Sequence, residues 1–106
     1  MGQGGAFVAE FSYRITQHGS DIILAISDHV LIGKKFEEND LQLAVSKEFY
    51  CGQVCGASKI RELIRSATII NAVGKNIISL LLEEKLIESK NIIMIQGVPH
   101  AQIVHV

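Results

Sequence analysis

The chain has no tryptophan, one proline and two cysteines, and aromatic residues make up only 6% of it. Cys51 and Cys55 stand four apart. That is not C-x-x-C spacing, and no second pair is present to complete a four-ligand zinc site. A disulfide between them would close a very tight loop, so reduced thiols and a cytoplasmic setting are expected. Histidine offers a metal little more. His100 and His105, five apart, diverge on a strand, and His18 and His29 stand in separate segments. No metal and no cofactor are expected. The sequence also lacks G-x-S-x-G, G-x-x-x-x-G-K-[ST] and a G-x-G-x-x-G that follows a strand, so nothing marks a nucleophile elbow or a phosphate cradle. Glu37-Glu38 and Glu83-Glu84 are adjacent pairs whose side chains diverge, which reads as solvated charge.

Long apolar runs are missing too. The stretch from Ile77 to Leu82 is broken by Ser79 and followed by Glu83-Glu84, far short of the ~20 residues a membrane helix needs. No apolar leader follows Met1-Gly2-Gln3-Gly4-Gly5. A soluble protein that makes no membrane contact is expected. Net charge is -1, which argues against a protein living on phosphate contacts over its whole surface, and DNA is not an expected partner. Basic charge is local. Residues 47–75 hold five basic groups, among them Arg61, Arg65 and Lys75, against Glu48 and Glu62. These are either a phosphate-binding patch or a solvated helix face.

What is present is a chain of 106 residues, 48% hydrophobic, enough for one domain with its own core. Residues 1–6 are expected to be a flexible tail and 7–106 the domain. Phe7 to Thr16 and Ile22 to Ser27 read as a hairpin around Gln17-His18-Gly19-Ser20-Asp21. Asp28 to Gly33 reads as a bend or a short helical turn, and Leu41 to Val45 as a half-buried strand. From Ser58 the period becomes helical, with Ile60, Leu63, Ile64 and Ala67 on one face. A second helix is expected from about Asn71 to Leu86 or Ile87. Gly74 inside it costs up to ~1 kcal/mol of helix propensity, which points to a close approach of backbone to a neighbour. Asn91 to Gln96 and Ala101 to Val106 read as strands. The expected fold is α+β, a two-layer sandwich of a mainly antiparallel sheet with two helices packed on one face.

Gly97-Val98-Pro99 reads as a stiff turn, because proline fixes its own φ and restricts Val98. It is followed by His100 and Gln102, two apart and therefore on one side of a strand. That pair either reads a ligand or serves the turn, with His100 bonding a backbone carbonyl. Phe49-Tyr50 is the one adjacent aromatic pair. If extended, Phe49 enters the core and Tyr50 faces outward to stack on a base; otherwise both rings are core.

Gly97-Val98-Pro99-His100-Ala101-Gln102-Ile103-Val104 resembles the C-terminal signature of a small archaeal family, domain of unknown function 424. Leu31-Ile32-Gly33-Lys34, Phe49-Tyr50 with Gly52, and Ala67 to Gly74 resemble further segments of it, and Cys51 departs from its glycine. The resemblance covers about residues 20–106. It implies a free-standing protein with a two-layer α/β sandwich, no established activity and an association with translation. The function expected is binding, without catalysis, to RNA, the small ribosomal subunit or a translation factor. Arg61, Arg65 and Lys75 would meet phosphates, and Tyr50, Asn71, His100 and Gln102 would line the same surface. Gly74, Gly97 and Pro99 would shape the backbone. The alternatives are a small enzyme acting on a nucleotide or modified base, with His100 as general acid–base, and a protein–protein module using surplus apolar surface.

Overall fold

β1 (Phe11–His18) and β2 (Asp21–Asp28) form an antiparallel hairpin, in register from Phe11 opposite Asp28 to His18 opposite Asp21. Gly19, at φ +62°, opens its two-residue turn, as a type II′ turn requires. The computed structural model describes residues 9–104; the expected tail over residues 1–6 and the position of His105 lie outside them. After a 3-10 turn at His29–Leu31 come β3 (Lys35–Glu38) and β4 (Leu41–Ala44), paired with each other in a separate two-stranded sheet. Then follow α1 (Lys47–Tyr50), β5 (Gln53–Cys55), α2 (Ala57–Leu63), β6 (Ile69–Val73) and α3 (Lys75–Glu83). The hairpin of β7 (Ile93–Ile95) and β8 (Val98–Val104) closes the described chain.

The main sheet has the order β5-β1-β2-β6-β8-β7. Only β2 and β6 run parallel; the other neighbours are antiparallel. The fold is thus α+β, with a mostly antiparallel mixed sheet and three helices. Side chains alternate across the sheet. Leu24, Ile26, Ile70, Ala72 and Ala101 face one side, where they meet Ile60 of α2, Ile64 just after it, and Ile77, Ile78, Leu80 and Leu81 of α3. Each fully buried isoleucine or leucine there contributes ~1.5–3 kcal/mol. Ala25, Val73 and Ile95 face the other side, under Leu43 and Val45 from the small sheet and Tyr50 from α1. Among the described residues, no helix is long and apolar enough to cross a membrane.

Three local expectations are corrected. Residues from Asn71 onward do not begin a helix: Ile69–Val73 is a strand, and α3 starts at Lys75. β6 lies between β2 and β8, with Ile70, Ala72 and Val73 all buried. A strand covered on both faces loses its alternation and mimics a helix face. Phe49 and Tyr50 are not extended but sit in α1, where the Ser46 hydroxyl accepts the Phe49 N–H at 3.2 Å. Tyr50 is 5% exposed and Phe49 47%, the reverse of the extended alternative, and only Tyr50 meets the alternative in which both rings are core. The last turn is not Gly97-Val98-Pro99. Ile95 pairs with Val98, leaving Gln96-Gly97 as the turn, at φ +52° and +78°. Two successive positive φ angles are the mark of a type I′ turn.

Candidate functional site

The parallel strands β2 and β6 end side by side, at Asp28 and Gly74. Asp28 is buried, and its carboxylate accepts the backbone N–H groups of Asn76 and Ile77, each at 2.9 Å. These are first-turn donors that α3 cannot satisfy internally. Gly74, with no side chain to cap the helix, lets the carboxylate in. A Cβ on Gly74 would stand 2.4 Å from the Asp28 Cγ. The close approach expected at Gly74 is therefore to Asp28, at the strand–helix junction rather than inside a helix. Burial pushes the Asp28 carboxyl above its ordinary value, and the two N–H bonds act against that rise.

Pro99 completes the junction. Gly74 donates its N–H to the Pro99 carbonyl at 2.9 Å, and proline has no N–H to return. The Gly74 carbonyl instead accepts the Ile78 N–H at 3.0 Å, the first bond of α3. A cavity of about 230 Å³ opens beside it, bordered by Asp28, Leu31, Lys75, Asn76, Val98 and Pro99 among others. The helix N-terminus that would attract an external anion is already held by the Asp28 carboxylate. The arrangement joins β2, β6, α3 and β8, and its chemistry is structural.

On the sheet face opposite α2 and α3, Asn71 pairs directly with Gln102, and Val73 with His100. His100 and Gln102 share a side, as expected. The His100 Nδ1 lies 3.1 Å from the Ala72 carbonyl oxygen. A carbonyl only accepts, so Nδ1 carries the proton, and in the neutral ring Nε2 keeps the lone pair. The bond to a backbone carbonyl expected of His100 is present. Arg14 reaches across this face to donate to the Cys51 carbonyl at 2.9 Å.

Arg61 and Arg65 lie on the helix side. Ile60 and Ile64 anchor this part of the chain in the core, and the arginines border one cleft of about 300 Å³ with Ile64, Ala67, Glu84 and Leu86. Arg61 Nε is 3.2 Å from Glu84 Oε2, and its Nη2 is 3.9 Å from Glu83 Oε1. Exposed pairs of this kind contribute roughly 0–1 kcal/mol. Among the described residues, Arg65 has no carboxylate within 4.0 Å. His100 borders neither this cleft nor the Asp28 cavity.

The expected common surface is therefore divided. Arg61 and Arg65 come together, whereas Asn71, His100 and Gln102 stand behind the sheet from them and Tyr50 is core. Lys75 borders the Asp28 cavity, at the far end of α3 from Glu83 and about 12 Å of helix rise away. Asp28, Asn76 and Glu84 were not legible as partners in the sequence; the one available signal for Asp28 was the misplaced glycine at position 74. Among the described residues no group of three His, Cys, Asp or Glu could hold a metal. Cys51 and Cys55 are both free, and burial pushes the Cys55 thiol up while Lys59 acts against it.

The family model described as Protein of unknown function (DUF424) matches residues 14–106. The chain belongs to this family. A crystal structure of an uncharacterized conserved protein from Methanopyrus kandleri is similar to this DUF424 chain, with a TM-score of 0.74 and 28% identity over 92% of this chain and 95% of that one. A search of curated proteins gives no match.

Proposed function

We propose that this DUF424 protein is a non-catalytic cytoplasmic component of the translation machinery that binds RNA, most directly at the small ribosomal subunit. The observation that carries the reading is the convergence of Arg61 and Arg65 on one cleft of about 300 Å³. An arginine presents a planar fork of donors that matches phosphate oxygens. With a net charge of -1, attraction to RNA has to come from such a local group rather than from the whole surface. The link to translation is the expectation carried by the family resemblance. In this reading α2 and α3 form the second layer of a two-layer sandwich, and that layer carries the RNA. The alternative of catalysis by His100 has less to support it, since the ring borders neither cavity.

Sedimentation of native extract through a gradient at moderate salt tests the proposal. The protein is expected in the small-subunit fractions, and the double variant Arg61→Ala, Arg65→Ala is expected to shift to the top. A wild-type protein found wholly at the top would overturn the reading.

A further inference from the structure

We infer that the Arg61–Arg65 cleft takes a single nucleotide of single-stranded RNA and that Glu84 is a built-in competitor for its phosphate; the inference rests on the RNA reading above. The cleft has two unlike walls. Arg61, Arg65 and Glu84 are charged; the other wall is half-buried Leu86 with the edges of the core residues Ile64 and Ala67. A lone phosphate needs only the first wall. The second offers contact to a ring, and a volume of about 300 Å³ lies at the small end of ligand cavities. It suits one nucleotide rather than a helix. In duplex RNA the bases are stacked within the helix and only backbone and groove edges are offered. An unstacked base can enter and lie against aliphatic side chains or a guanidinium plane.

Glu84 Oε2 lies 3.2 Å from Arg61 Nε and so occupies the guanidinium edge that a phosphate would use. The pair is exposed, so exchanging the carboxylate for a phosphate oxygen costs little. The carboxylate then remains beside the phosphate as a like charge and lowers affinity. Arg65, without a carboxylate partner among the described residues, makes the uncontested contact.

Anisotropy titrations with a labelled single-stranded oligoribonucleotide and with an RNA duplex of equal length test this on the full chain. Arg65→Ala is expected to weaken both. Leu86→Ser is expected to weaken the single strand only, and Glu84→Gln to tighten it about two- to fivefold, the equivalent of removing one surface charge contact. Unchanged binding in Arg65→Ala would overturn the RNA reading itself. If Arg65→Ala weakens binding while Glu84→Gln leaves affinity unchanged, or Leu86→Ser keeps the single-strand preference, the RNA reading stands and the single-nucleotide inference fails.

Discussion

Gly74 holds a φ of +122° with the Asp28 carboxylate where a Cβ would stand, so two separate costs are built into any substitution there. Gly74→Ala is expected to destabilise the fold by about 2–4 kcal/mol, from backbone strain plus steric displacement of Asp28. Chemical denaturation of Gly74→Ala in the Asp28→Ala background separates them: only the strain should remain, and the two changes should couple. Asp28→Asn retains one acceptor and turns an amide N–H₂ toward the α3 donors, at an expected cost of about 1–3 kcal/mol. The pH dependence has a definite sign. A carboxyl raised in the folded state binds its proton more tightly there than in the unfolded chain. Its contribution is therefore fully present below 3.8 and is lost as pH rises through the raised folded value. Measured against pH, the stability advantage of wild type over Asp28→Asn should shrink across that window and level off above it.

The turn between β7 and β8 reaches beyond its own hairpin. The Gln96 Oε1 accepts the Glu37 N–H at 2.8 Å, and the Gln96 N–H donates to Glu38 Oε1 at 2.6 Å. Gln96→Ala is expected to cost about 0.5–1.5 kcal/mol and to speed hydrogen exchange at the Glu37 amide, with the β1–β2 amides unchanged. Equal acceleration in both places would mean that the small sheet is not held locally. Much of this level was legible in the sequence. The β1–β2 hairpin, β4, the short turn after Asp28 and the shared side of His100 and Gln102 follow from alternation and turn residues. What escaped was decided by tertiary context. β6 is apolar at Ile69, Ile70, Ala72 and Val73, on both faces, so only Asn71 marked its strand period. α1 has only four residues, too few for a helical period to appear, and Tyr50 turned inward with it. The Gln96-Gly97 turn was hidden because Pro99, two residues beyond Gly97, is itself a turn-forming residue type. In fact proline suits β8 there, since its missing N–H falls beyond the end of β6.

At the scale of the whole molecule, the sheet separates the polar residues of interest into two groups that no single flat ligand can span. Arg61 and Arg65 are on the α2–α3 side, and Asn71 and Gln102 form a pair on the reverse. Spacing along the chain could not show this, because a period of two places Asn71 on one face while its neighbours Ile70 and Ala72 pack beneath the helices. The division yields a test of where RNA is held. If phosphates are met on the helix side, Arg65→Ala should weaken RNA binding and make the slope of log K against log salt shallower by about one contact. The double change Asn71→Ala, Gln102→Ala should leave both affinity and slope as they are, because neither side chain carries charge and both face away. Equilibrium binding at several salt concentrations reads both quantities from one experiment. A loss of affinity in the Asn71, Gln102 variant with an unaltered Arg65→Ala protein would move the interface to the reverse face of the sheet, beside His100.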